Sequence, residues 1–142
     1  MQDRPEASEL INAVASFVER ELLPTLTDPR LRFRALVAVN VLSIVEREIA
    51  QGEAMLFAEW QRLLPLLGRP TEAPPPSTEE LHASVLALNR QLCARIRAGD
   101  ADAGPWYEDV LAHAEATVIE KLRVANPRYL ERVLGEDGSD AV

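Results

Sequence analysis

The sequence lacks the features of secreted and membrane-bound proteins. Its single cysteine, Cys93, excludes an internal disulfide and fits a reducing compartment. The longest uncharged apolar stretch, at 35–45, is far shorter than the roughly 20 residues that a membrane-spanning helix needs. No basic segment followed by an apolar run opens the chain, so we expect no signal peptide. These absences predict a cytoplasmic protein without a membrane span.

Positive charge is also scarce. The 142 residues include 15 Lys and Arg against 23 Asp and Glu, a formal net charge of −8. Because nucleic acids and anionic membranes both attract basic surfaces, we expect neither to be the main partner. The length is that of one ordinary domain, and the 47% of hydrophobic residues is typical of a globular protein.

Motifs of catalysis are missing as well. The sequence contains no Cys-x-x-Cys, Gly-x-Ser-x-Gly, phosphate-binding loop or Rossmann fingerprint. Glu79 and His82 have the Glu-x-x-His spacing of di-iron bundles, but that site needs the motif twice, and Val110 stands three residues before His113. Asp109 and His113 are one helical turn apart, and we interpret them as an exposed pair. The sequence therefore predicts a non-enzymatic chain without metal or cofactor; an activity of unrecognised type is the least favoured alternative.

Apolar residues recur with the period of a helix along most of the chain, and no segment alternates with the period of a strand. Short connections between helices favour an antiparallel arrangement. We predict an all-α fold, an up-and-down bundle of about five helices plus a short C-terminal helix. The predicted helices are 5–23, 29–51, 53–67, 77–99 and 105–125, with a terminal helix to about 134. Residues 1–134 are predicted to form a single domain with a proline-rich loop at 68–77, and 135–142 an acidic flexible tail.

Two helices carry specific packing predictions. The second, capped by Asp28-Pro29, is apolar on nearly all sides and is interpreted as the core helix. Gly52 is expected to end it. In the fifth helix, a sustained apolar seam is expected to face the core. Its members are Tyr107, Leu111, Ala114, Val118, Leu122 and Ala125.

Polar residues in unusual places give the candidate contacts. Asn40 lies within the uncharged stretch, where a buried amide needs a partner either in the core or on another chain. Three arginines open the second helix, where the helix dipole disfavours cations, so they suit a phosphate, a carboxylate or an acidic partner. A basic cluster near the C-terminus is explained only partly by the dipole. The arginines are Arg30, Arg32 and Arg34, and the cluster is Lys121, Arg123, Arg128 and Arg132.

Four stretches together resemble a family of small bacterial domains of unknown function. They are RPEASELINAVASFVERELLP, LRFRALVAVNVLSIVERE, ARIRAG and TVIEKLRVANPRYL, within about 4–130. Members of that family occur beside, or fused to, aminoglycoside-phosphotransferase-like kinases and acyl-CoA dehydrogenase-like enzymes. The resemblance implies an all-helical accessory subunit of such a kinase in (hydroxy)acyl-CoA catabolism. It transfers no catalytic residue.

The residues and the resemblance together define one set of candidate partner or ligand contacts. The set is Arg30, Arg32, Arg34, Asn40, Arg47, Lys121, Asn126, Arg128 and Tyr129. Two alternatives stay open beside the accessory subunit. One is a small helical module that binds CoA or another phosphorylated metabolite through the arginine clusters. The other is a homodimer.

Overall fold

A computed structural model describes residues 4–69 and 72–137 of the chain. All regular structure in these residues is helical, which confirms the all-α class. The helices are α1 (Ala7–Phe17), α2 (Pro29–Leu66), α3 (Thr78–Arg97), α4 (Pro105–Ala125) and α5 (Pro127–Asp137). None of these helices is long and apolar enough to cross a membrane. Helix α5 extends three residues beyond the predicted end at 134, and the last residues of the predicted tail lie outside the described part.

Helix α1 begins and ends for local reasons. The backbone N–H of Glu6 donates to the Glu9 carboxylate at 2.8 Å, as part of a capping box. The helix then widens into a π-helical turn at Val18–Leu22 and tightens into a 3-10 turn at Leu23–Thr25. Pro24 explains the change, because its ring has no N–H and would clash with a carbonyl four residues earlier. The predicted break at Pro24 is confirmed.

Helix α2 is one continuous helix where two were predicted. Asp28 accepts the backbone N–H of Arg30 at 2.8 Å, so the predicted cap is correct. Gly52 does not end the helix, because its φ is not positive and the helical backbone runs through it to Leu66. A glycine inside a helix costs only about 1 kcal/mol relative to alanine, which a long helix tolerates. Its missing β-carbon leaves room for the side chain of Glu48, since that carbon would lie 3.0 Å from Glu48 Oε1.

Glycines in the left-handed conformation end α2 and α3 instead. Gly68 has a φ of 76° and Gly99 a φ of 92°. After α2, the N–H of Arg69 donates to the Leu64 carbonyl at 2.7 Å, which is the long bond of a Schellman motif. The predicted stop at Gly99 and the predicted cap by Ser77, which accepts from the Glu80 N–H at 3.2 Å, are both confirmed.

The chain divides into two compact units. The N-terminal unit contains the residues up to Gly52 together with Val124–Asn126, and the C-terminal unit contains Glu53–Arg123 and the residues from Pro127 onward. The single domain over 1–134 stays a prediction.

The C-terminal unit holds the main hydrophobic core, which α2 and α3 supply. Its buried members are Trp60, Leu63, Leu64, Leu81, Val85, Leu88 and Leu92. The indole N–H groups of both tryptophans donate hydrogen bonds, as is usual for buried tryptophans. Trp60 donates to Ser84 Oγ at 3.1 Å, and Trp106 donates to the Leu66 carbonyl at 2.9 Å, a group left free at the end of α2. Trp106 and Val110 of α4 pack against this core.

The N-terminal unit buries much less apolar surface. Among its described residues, the buried hydrophobic side chains are Ala15, Leu23 and Val124. The interpretation of the second helix as the core helix is therefore wrong for its first half, where Phe33 is 67% and Val41 50% exposed. The amide of Asn40, expected to be buried, is also exposed. The prediction failed because the uncharged stretch at 35–45 has no polar face that would indicate which side of the helix meets solvent.

Candidate functional site

The inward side of α4 carries both apolar and polar side chains, and three of the large apolar side chains of the helix are exposed to solvent. His113 is buried, and Thr117 and Glu120 are partly buried, in line with Trp106 and Val110. Tyr107, Leu111 and Val118 of the predicted seam are instead 44%, 50% and 55% exposed. The seam prediction is wrong in phase, because the inward positions 106, 110, 113 and 117 each lie one residue before a predicted seam residue.

An ion pair joins this polar side of α4 to α2. The guanidinium of Arg62 donates to both carboxylate oxygens of Glu120, with Nη1–Oε1 2.8 Å and Nη2–Oε2 2.5 Å. The two side chains are only 28% and 17% exposed. The hydrogen bonds to Glu120 raise the pKa of Arg62 above its ordinary value, so the guanidinium stays charged. A two-point contact of this kind fixes the rotation of α4 as well as its position.

His113 lies on the same side of α4, and 7% of the residue is exposed. The predicted exposed pair of Asp109 and His113 is therefore wrong, since only Asp109 is exposed. Desolvation lowers the pKa of His113 below its ordinary value of 6.5, and the nearby Arg62 guanidinium lowers it further. The carboxylates of Glu59 and Glu120 act in the opposite sense without reversing the shift. The imidazole is thus neutral at pH 7.

A cavity of about 380 Å³ lies beside this polar cluster. Its lining residues are Arg62, Pro65, Leu66, Asp109, Ala112 and His113. Two buried atoms of these residues, Arg62 Nε and His113 Nδ1, have no hydrogen-bond partner in the described part of the chain. An unpaired buried polar atom costs about 1–3 kcal/mol, so we expect water or a ligand atom to bond to both.

The chemistry of the cavity suits hydrogen bonding rather than ionic recognition. The charge of Arg62 is already compensated by Glu120, and Asp109 adds a negative charge at the rim. A phosphate would meet no uncompensated cation among these lining residues. The arrangement of an unpaired N–H, a neutral imidazole and apolar walls fits a small neutral molecule with polar groups. Within the described residues, no group of three or more metal-ligating side chains occurs.

The residues predicted from sequence fall into both units. Arg30, Arg32, Arg34, Asn40, Arg47 and Asn126 belong to the N-terminal unit, and Lys121, Arg128 and Tyr129 to the C-terminal unit. All of them except Arg47 are exposed. The ring of Tyr129 lies under the guanidinium of Arg132, 5.2 Å from its centroid. None of the nine lines the cavity.

Two of the predicted arginines have structural contacts. The guanidinium of Arg32 donates to the Leu23 carbonyl at 3.1 Å, where the 3-10 turn begins. Arg47 Nε donates to the Val124 carbonyl at 2.7 Å, one of the carbonyls left free in the last turn of α4. A cation at the C-terminal end of a helix also interacts favourably with its dipole. These hydrogen bonds give Arg32 and Arg47 a structural role, so their positions do not require a ligand.

Sequence reasoning missed the cluster of Arg62, His113 and Glu120. One signal was available, because positions 106, 110, 113, 117 and 120 follow helical steps of four and three. That seam starts with a tryptophan and a valine, but its remaining members are polar, so an apolar pattern could not reveal it. The pairing of Arg62 with Glu120 spans 58 positions and has no local sequence signal.

Comparison with known proteins identifies a family. The family model described as "Domain of unknown function (DUF6285)" matches residues 24–129. The match includes the second and third of the stretches on which the resemblance rests and all but the last residue of the fourth, and it leaves out all but the last residue of the first. No curated protein matches the chain, and no solved structure does either.

The buried imidazole makes folding stability depend on pH. As pH falls through about 6.5, the unfolded chain binds a proton at His113 while the folded chain does not. The free energy of unfolding should therefore decrease towards acid, by at most about 1.4 kcal/mol per pH unit from this group. Urea unfolding of the wild type and of His113→Gln at several pH values measures the effect.

The variant should show a smaller acid loss than the wild type. The His82→Gln variant, which changes an exposed histidine and keeps His113, should retain the wild-type loss. An equal acid loss in wild type and His113→Gln would contradict the neutral buried imidazole.

Proposed function

The chain belongs to the DUF6285 family, and from that premise we propose that it is a non-catalytic accessory subunit that binds a larger protein. The resemblance described above gives the class of partner. It is an aminoglycoside-phosphotransferase-like kinase of (hydroxy)acyl-CoA catabolism in the bacterial cytoplasm. The role of the chain is to stabilise or activate that kinase.

The observation that carries this proposal is the uncovered apolar side of α4. Tyr107, Leu111, Ala114 and Val118 lie along one face of the helix and are all exposed. They extend over about 17 Å at 1.5 Å per residue. Contiguous exposed apolar surface is unfavourable in water, and it is typical of sites where another protein binds. An apolar helix face of this length fits the groove of a larger protein.

The polar interior explains why α4 cannot bury this face within its own unit. Turning the helix to hide Leu111 and Val118 would break both hydrogen bonds between Arg62 and Glu120. It would also leave the mostly buried guanidinium of Arg62 without its partner, and the loss of one partner costs about 3–5 kcal/mol in a fully buried pair. A partner can cover the apolar face without that loss.

Co-expression with a kinase of this class encoded beside the chain tests the proposal. The two proteins should elute together in gel filtration, and Leu111→Asp with Val118→Asp should abolish co-elution while leaving the helical circular dichroism unchanged. Leu86→Asp is the matched control, because Leu86 on α3 is also exposed, at 53%, and lies outside the α4 face. Independent elution of the wild-type proteins, or equal loss in the control, would contradict the proposal.

The alternative function is a module that binds CoA or another phosphorylated metabolite. Arg30 and Arg34 favour it, because they are exposed and one turn apart at the start of α2. The positive end of the helix dipole adds to their attraction for phosphate. Calorimetry with CoA should then give saturable heat that Arg30→Gln reduces and added salt weakens. No heat with CoA would exclude this alternative and leave the accessory role untouched.

A further inference from the structure

The cavity of about 380 Å³ has no part in the proposed accessory role, and it has the properties of a ligand site. Ligand pockets usually enclose about 300–1,000 Å³ and combine apolar walls with a few polar groups. Here Pro65, Leu66 and Ala112 supply apolar wall, while Arg62 and His113 supply polar groups. An enclosed space of about 150 Å³ already holds benzene, so this cavity has room for a ring that carries a polar substituent.

Contacts on both sides of the cavity hold α2 and α4 together around it. Trp106 donates to the Leu66 carbonyl at 2.9 Å, and Arg62 donates two hydrogen bonds to Glu120. The lining residues of α4, at 109, 112 and 113, lie between Trp106 and Glu120 along the helix. The two helices are therefore already in place before a ligand enters, which lowers the cost of binding.

The unpaired atoms beside the cavity define what a ligand must offer. Arg62 Nε–H can only donate, and both Nη atoms already donate to Glu120, so Nε needs an acceptor. His113 Nδ1 also has no partner within the described residues, and only 7% of this residue is exposed. A neutral imidazole carries one proton on its two nitrogens, so with that proton on Nε2, Nδ1 needs a donor. The ligand must therefore offer both an acceptor and a donor.

The charges around the cavity disfavour an anionic ligand. Two cations and two carboxylates act on His113, and their charges cancel; they are Arg62, Lys121, Glu59 and Glu120. Asp109 in the lining adds one negative charge that no ion pair within the described part of the chain compensates. A carboxylate or phosphate in the cavity would be repelled by this charge, whereas an uncharged group would not.

We propose that the cavity binds a small uncharged carboxamide. Its carbonyl oxygen accepts from Arg62 Nε–H, and its N–H donates to His113 Nδ1. Its apolar part lies against the walls formed by Pro65, Leu66 and Ala112. A carboxamide carries an acceptor and a donor side by side without a charge, which is the combination that the two unpaired atoms require.

Imidazole ¹⁵N NMR of the full chain tests the proposal, because the sequence has two histidines and they can be followed separately. Benzamide should shift the Nδ1 resonance of His113 in a saturable way, with a dissociation constant of about one millimolar, as expected for a ligand of so few atoms. His82 is exposed, serves as the internal control and should not respond. Benzoate has the same shape but a negative charge, and should shift neither histidine.

Two variants locate the ligand. Ala112→Leu fills part of the cavity and should raise the dissociation constant of benzamide about tenfold. Ala87→Leu, the same substitution at an exposed site on α3 outside the cavity, should change little. His113→Phe keeps a buried ring but removes Nδ1, and saturation-transfer NMR of benzamide should show binding about tenfold weaker than in wild type.

A His113 resonance that benzamide does not shift would overturn the proposal, since water would then be the partner of the two unpaired atoms. An equal response to benzoate, or unchanged binding in Ala112→Leu or in His113→Phe, would overturn it as well. None of the four apolar residues of the α4 face lines the cavity. Failure of benzamide binding therefore leaves the accessory role standing, and failure of kinase co-elution leaves the carboxamide site standing.

Discussion

The contact between Arg62 and Glu120 determines how the C-terminal unit is arranged. A guanidinium held by both oxygens of a carboxylate tolerates little rotation of either helix. It fixes which side of α4 faces α2, and that side carries the buried His113. The neutral imidazole and the cavity beside it both follow from this orientation. The exposure of Leu111 and Val118 follows from it too, because both residues lie on the side of α4 opposite Glu120.

The exposed apolar surfaces of the molecule depend on two opposing effects, the gain from burying apolar side chains and the contacts that hold each helix in its orientation. Burying an apolar side chain is worth about 1.5–3 kcal/mol, so faces such as those of α2 and α4 are stable in water only if the rest of the fold prevents their burial. In α4 the ion pair prevents it. In α2 few side chains are available to cover the first half of the helix, because the other described residues of the N-terminal unit form α1, a π-helical turn, a 3-10 turn, short connections and the segment Val124–Asn126. The face of α4 is therefore proposed as a binding surface for a kinase-like protein.

Sequence reasoning found what local chemistry determines. The caps at Asp28 and Ser77, the stop at Gly99 and the break at Pro24 each depend on residues within a few positions of one another. It failed where distant contacts outweigh local preference. Gly52 looked like a stop, yet the helix continues because a single glycine costs less than interrupting the packing on either side.

The orientation of α4 was predicted wrongly for a related reason. An apolar seam normally marks the buried side of a helix, and the contact with Arg62, 58 positions away, works against that rule in α4. The basic residues chosen as candidate contacts include Arg32 and Arg47, whose hydrogen bonds to backbone carbonyls could not be inferred without knowing which helix ends lie beside them.

The central claim is that α4 is held with its polar side inward by the pair of Arg62 and Glu120. The measurement that tests it most directly compares the free energy of unfolding in urea for Glu120→Gln and Leu111→Ser. Glu120→Gln should lose about 2–3 kcal/mol, somewhat less than for a fully buried pair, and Leu111→Ser should stay within about 0.5 kcal/mol of wild type. Glu72→Gln, which changes the more exposed ion pair of Arg69 and Glu72, is the control and should lose less than about 1 kcal/mol. A loss of about 2 kcal/mol or more in Leu111→Ser, together with little change in Glu120→Gln, would show that α4 packs through its apolar side and would contradict this account.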